Sequence, residues 1–123
     1  MEAATTTDMK VSASQVPAID SVHLARVTFG ERRLEEEVLQ LFDRQAVLLM
    51  ARIRSSSPTA VAGLAHTLKG SALSIGAFDV AHAADATELA STQGGPECDA
   101  AVRNLAAAVD TARAAIIAML CKP

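Results

Sequence analysis

Two side chains near the middle of the chain combine a nucleophile with a positive charge. His66 and Lys69 lie three residues apart, in a segment that reads His-Thr-Leu-Lys-Gly-Ser from residue 66. An ordinary histidine titrates near pH 6.5, roughly, so its neutral ring is a good nucleophile at cellular pH. A lysine one helical turn away disfavours the imidazolium and attracts a negatively charged group placed on the ring. The pair could therefore carry an anionic group.

The other parts of a catalytic centre are missing from the sequence. Cys98 and Cys121 have no Cys-x-x-Cys or paired His/Cys spacing, so we expect neither a metal site nor a disulfide framework. Gly94-Gly95 does not follow a strand and is typical of a turn rather than a phosphate-binding loop. His23 and His82 lie outside any motif and are expected on the surface. The site could hold a group but hardly catalyse its own reaction.

A helix must position His66 and Lys69. At about 100° per residue, with Leu64 as zero, His66 falls near 200°. The apolar stripe lies within roughly the first 80° and consists of Val61, Leu64, Leu68, Ala72 and Ile75. The residues that fall around His66 are Ala62, Lys69, Gly70 and Leu73. We therefore expect His66 to face solvent among mostly small neighbours, where a partner surface could approach closely.

The composition favours packed helices. Half of the 123 residues are hydrophobic, only 2% are aromatic, and 26 are alanine, the best helix former. Small side chains cover a wide sheet poorly, which argues against a sandwich or a barrel. The net charge of −3, without a basic block, argues against nucleic acid as a partner. No apolar run has the roughly 20 residues that a membrane span needs.

Helical periodicity and turn residues divide the chain into five helices. The predicted helices are a short one between about residues 20 and 30, then longer ones over about 31–54, 58–74, 77–93 and 96 to the C-terminus. Asp20 is expected to cap the first, and the apolar positions of the second include Leu41 and Leu48. Short links favour an antiparallel four-helix bundle, with the short N-terminal helix capping one end. Residues 1–16 are expected to be a disordered leader, and residues 17–121 one domain.

The central segment closely resembles the signature of histidine-containing phosphotransfer (HPt) domains. The family pattern is a His, then Leu-Lys-Gly-Ser, then Gly-Ala after a short gap, and this chain has His66 and Leu68 to Ser71 followed by Gly76-Ala77. The layout of helices and the lead-in Pro17-Ala18-Ile19-Asp20 also resemble the family. The resemblance covers about residues 17–120.

The resemblance implies a role for each matching residue. His66 would accept a phosphoryl group on Nε2, Lys69 would stabilise that group, and Gly70 would leave room for a docking partner. Glu88, 22 residues after His66, occupies the position of a family side chain that holds the imidazole Nδ1. That assignment rests on spacing, and an ordinary exposed carboxylate is the alternative.

Docking residues are also implied. Ala62 and Leu73 would flank Gly70 on the docking surface. Phe78 is ambiguous, because it shares one helical face with His82 and Leu89 while Ala77, Val80 and Ala84 form a rival apolar face. The resemblance favours the second face as core and leaves Phe78 near the docking surface. The alternative is that Phe78 belongs to the core.

The implied function is that of a phosphorelay intermediate. The expected partners are receiver domains of response regulators and hybrid histidine kinases, one donating the phosphoryl group and another accepting it. The Mg²⁺ ion would lie on the receiver, so no cofactor, metal or kinase activity is expected in this chain. We expect a cytoplasmic monomer. The competing hypothesis is a helical interaction module that binds a signalling partner without carrying phosphate.

Overall fold

The computed structural model describes residues 17–122, and within them it contains five α-helices and no strand. The helices are α1 (Ser21–Val27), α2 (Arg32–Ser55), α3 (Pro58–Ile75), α4 (Phe78–Ala90) and α5 (Gly95–Leu120). The predicted all-helical architecture is confirmed. The predicted leader, residues 1–16, lies outside the described residues.

Helices α2 to α5 form a four-helix bundle. α2 packs against α3 and α5, and α4 packs against the same two helices, so that consecutive helices are neighbours around the bundle. The links between them are only two to four residues long. Such short links make neighbouring helices antiparallel. In the described part of the chain, no helix is long and apolar enough to cross a membrane.

The short helix α1 is fixed against the end of α3. The Asp20 side chain caps α1 by accepting hydrogen bonds from the backbone N–H groups of Val22 and His23, both at 3.0 Å. The backbone N–H of Asp20 donates to the carbonyl of Gly76 at 2.9 Å. These contacts join the lead-in to the C-terminal end of α3.

Gly76 is the residue that ends α3. It has the left-handed φ of 82°, and a Cβ at this position would lie 3.0 Å from the backbone oxygen of Asp20. A side chain would therefore be strained and would press on the lead-in. The turn at Gly76 sends the chain directly into α4, which explains why the two helices lie side by side.

The core departs from the predicted pattern in two helices. In α3 the fully buried Ala65 belongs to the core and Leu64 is half-buried, so the stripe is rotated slightly from its predicted centre. In α2 the expected apolar positions Leu41 and Leu48 are exposed, by 57% and 60%. The buried residues of α2 are Leu39, Phe42, Ala46, Leu49, Met50 and Ile53.

These placements predict very different costs for two leucine truncations on α3. Leu68 is fully buried, whereas Leu73 is 44% exposed. Leu68→Ala should lower the free energy of unfolding by about 2–5 kcal/mol, because it leaves a cavity. Leu73→Ala should cost less than about 1 kcal/mol, because nearly half of its surface is already in solvent and its loss leaves no enclosed cavity. Urea unfolding of both variants measures the difference, and equal losses would place Leu73 in the core.

Candidate functional site

His66 projects from α3 into solvent while one ring nitrogen is held by α4. Its side chain is 66% exposed, and Nδ1 lies 3.2 Å from Oε1 of Glu88. A carboxylate only accepts hydrogen bonds, so Nδ1 is the nitrogen that carries the proton in a neutral ring. The lone pair is then on Nε2, on the side of the ring away from Glu88. The exposed nitrogen is thus the nucleophilic one.

Lys69 is held by two carboxylates of α4. Its Nζ donates to Oδ1 of Asp85 at 3.0 Å and lies 3.9 Å from Oε1 of Glu88. The hydrogen bond that Lys69 donates to Asp85 is the main cause that raises the pKa of Lys69 above its ordinary value, and the charges of Asp85 and Glu88 act in the same direction. Partial desolvation opposes them. Lys69 is therefore a cation beside the imidazole at neutral pH.

The four side chains form one continuous array across the α3–α4 interface. It runs from His66 to Glu88, from Glu88 to Lys69 and from Lys69 to Asp85. The sequence points to His66, Glu88 and Lys69, whereas Asp85 was not predicted. Asp85 precedes Glu88 by three residues and so lies one turn earlier on the same face of α4. That spacing was the available signal.

The predicted docking residues of α3 lie along one side of the helix with His66. Gly70 and Leu73 are exposed, and Ala62 is half-buried one turn before His66. A Cβ added at Gly70 would meet nothing within 4 Å, so this glycine leaves open space beside the ring. Their role in docking stays a prediction.

Phe78 lies at the start of α4, outside the hydrophobic core. It is 36% exposed, and its ring packs edge-on against the ring of His23 at a centroid distance of 5.4 Å. The Nε2 atom of His23 is 3.2 Å from the carbonyl oxygen of Ser74, which it meets as a donor. The expectation that His23 is merely a surface residue was therefore incomplete, because it joins α1 to the end of α3.

Ser71, the last residue of the central motif, has a structural contact. Its hydroxyl donates to Oε1 of Gln45 at 2.9 Å, which connects α3 to α2. His66 is thus on a helix that is tied to α4 on one side and to α2 on the other. These hydrogen bonds add to the core contacts that hold α3 in the bundle.

Comparisons with known proteins identify the family and the fold. Residues 32–115 match the Hpt domain family. The fold is similar to the crystal structure of a rice protein described as a histidine-containing phosphotransfer protein, with a TM-score of 0.76 and 20% sequence identity. The similarity covers 94% of this chain and 87% of the rice chain. Among curated protein sequences, no match is found.

The family match spans more than half of the sequence, and the chain therefore belongs to the Hpt domain family. Hpt domains are phosphocarriers in histidine phosphorelays, where they interact with receiver domains. The function supported at this level is histidine phosphotransfer.

The contact between His66 and Glu88 predicts a tautomer that NMR can measure. In the wild type, ¹⁵N chemical shifts should show the proton of neutral His66 mainly on Nδ1. Glu88→Ala removes the acceptor, and should move the tautomer ratio toward Nε2–H by up to about fivefold, as expected for a partly exposed hydrogen bond. Glu88→Gln keeps an acceptor oxygen and serves as the matched control. An unchanged ratio in Glu88→Ala would contradict the assigned contact.

Proposed function

We propose that this protein is the histidine phosphotransfer intermediate of a multistep phosphorelay, with His66 as the phosphoacceptor. The observation that carries the proposal is the divided environment of its ring: Nδ1 faces Glu88 at 3.2 Å, while the side chain is 66% exposed. In the neutral ring, Nε2 is therefore both unprotonated and open to a partner. Such an atom is suited to attack a phosphoryl group that a second protein presents.

The proposed transfer is a simple exchange of one bond for another. The Nε2 lone pair of His66 attacks the phosphorus of an aspartyl phosphate on a receiver domain. The N–P bond forms as the bond between phosphorus and the carboxyl oxygen breaks, and the receiver aspartate leaves as a carboxylate. The proton stays on Nδ1, where Glu88 stabilises the positive charge that the ring acquires. The reverse sequence, onto a second receiver, discharges the carrier.

Lys69 is proposed to stabilise the transferred group. Phosphoryl transfer needs positioning and charge neutralisation more than covalent help. Lys69 lies one helical turn from His66 and carries its ammonium at the end of a long flexible side chain. The ammonium can therefore turn toward the oxygens of a phosphoryl group bound to Nε2. Glu88 is proposed as a positioning residue, which acts through the ring rather than on phosphorus.

The rest of the reaction is assigned to the partner. We assign the Mg²⁺ ion and the acidic pocket to the receiver domain. We propose that this chain has no kinase activity of its own. The exposed surface of α3 around His66, including Ala62, Gly70 and Leu73, is the proposed docking face, and Phe78 is proposed to lie at its edge. We further propose that the protein acts as a monomer between receivers of hybrid kinases and of response regulators.

The direct test is transfer of labelled phosphate from a panel of phosphorylated receiver domains from the same genome. The wild type should acquire label that is stable to alkali and labile to acid, and should pass it to a second receiver. His66→Gln should accept none, whereas His82→Gln, which changes another exposed histidine of the bundle, should accept label at the wild-type rate. If the wild type binds receivers but never acquires label, the non-carrying interaction module replaces this proposal.

Gly70 provides a test of docking that leaves the nucleophile intact. Gly70→Gln adds a long side chain in open space beside His66. Glutamine is the better helix former, so the melting temperature should be unchanged or slightly raised. The added side chain would separate the two surfaces near His66. Because a transient interface is small, this loss of contact should weaken receiver binding by at least about tenfold. Titration calorimetry beside a thermal melt measures both, and unweakened binding would place the docking face elsewhere.

A further inference from the structure

The charge array contains a carboxylate that the phosphocarrier role does not use. We propose that Asp85 holds the ammonium of Lys69 in the unphosphorylated protein and competes with the phosphoryl group for it, and so sets how readily His66 is loaded. This inference rests on the proposed function. Asp85 would be a positioning residue that acts through Lys69 and touches neither the ring nor the phosphoryl group.

Asp85 and His66 lie at opposite ends of the charge array, with Lys69 and Glu88 between them. The Nζ atom is 3.0 Å from Asp85 and 3.9 Å from Glu88, both carboxylates of α4. The ring of His66 turns Nδ1 toward α4, at 3.2 Å from Glu88. Nε2, and any group bound to it, therefore points away from α4. To meet phosphoryl oxygens there, the ammonium must turn away from Asp85.

The side chains involved are free enough to make this exchange. The Asp85 side chain is 52% exposed, and that of Lys69 is 28% exposed. Water can replace either partner when the pair separates, so separation carries no burial penalty of an unpaired charge. An exposed pair of this kind alters an equilibrium by a few-fold and does not block it.

Direct repulsion has the same sign as the competition. Asp85 and Glu88 are both negatively charged, and a phosphoryl group on His66 adds further negative charge near them. Glu88 is compensated by its hydrogen bond to the ring, which becomes positively charged on loading. Once Lys69 leaves it, Asp85 is compensated by water alone. Competition for Lys69 and direct repulsion both stabilise the unphosphorylated state. Only the competition requires Lys69.

The test loads the protein with phosphoramidate, a small phosphodonor, so that no receiver is needed. Nε2 attacks phosphorus, the N–P bond of the donor breaks, and ammonia leaves as the new N–P bond forms on His66. ³¹P NMR measures the steady fraction of phosphohistidine at a fixed donor concentration. Asp85→Asn should raise the ratio of phosphorylated to free protein about two- to fivefold over wild type, the range expected for an exposed charge pair.

Three variants separate competition from a general charge effect. Asp79→Asn removes an exposed carboxylate from the first turn of α4 and should change the ratio little. Asp85→Glu keeps a carboxylate at this position, so its ratio of phosphorylated to free protein should stay closer to that of the wild type than the ratio of Asp85→Asn. In a Lys69→Ala background, Asp85→Asn should lose most of its effect, because there is no ammonium to release.

The outcomes are distinguishable from failure of the proposed function. If wild type and every variant except His66→Gln load equally, the phosphocarrier stands and the role of Asp85 is wrong. If Asp85→Asn lowers the loaded fraction, Asp85 orients Lys69 for the phosphoryl group and the competition is refuted. An undiminished effect in the Lys69→Ala background also refutes it, in favour of plain repulsion. If His66 is never loaded while other residues are, the proposed function itself fails.

Discussion

The hydrogen bond between Nδ1 of His66 and Glu88 is the contact on which the site depends, because it determines which nitrogen is free. It joins two helices, so it requires α3 and α4 to lie close together in a fixed register. The two-residue turn at Gly76 and Ala77 sets that register. The buried face of α4 is made of Val80 and smaller or similar side chains, which allows the axes to approach. The hydrogen bond between His66 and Glu88 therefore depends on the close packing of α3 and α4 in the core.

The charges around His66 favour reversible binding of a phosphoryl group over its tight retention. One cation, Lys69, lies among two carboxylates, so the site offers only moderate attraction to a dianionic group. A strongly cationic pocket would hold the phosphoryl group and hinder its onward transfer. The exposure of the ring has the same consequence, because a partner that reaches Nε2 to deliver a group can also reach it to remove one. Weak stabilisation and open access together favour reversible transfer.

The fold and the outward position of His66 could be predicted from the sequence, whereas the contacts of His66 with other helices could be predicted only in part. Turn residues such as Pro58 and Gly76 mark the helix ends directly, and the apolar stripe turns His66 outward. Ala65 was missed because a small side chain gives a weak hydrophobic signal although it is fully buried. The exposure of Leu41 and Leu48 was not predicted, because periodicity alone does not show how much of the apolar face of α2 the neighbouring helices cover. Asp85 and His23 act through contacts between helices, which depend on register and rotation that no single helix encodes.

The most direct measurement is the position of the phosphoryl group on the ring. Protein labelled with ¹⁵N in histidine, once phosphorylated, reports the bonded nitrogen through its ¹⁵N shift and its coupling to ³¹P. We predict a single N–P bond, on Nε2 of His66, with the proton still on Nδ1 beside Glu88. A bond to Nδ1, or to another side chain, would contradict it.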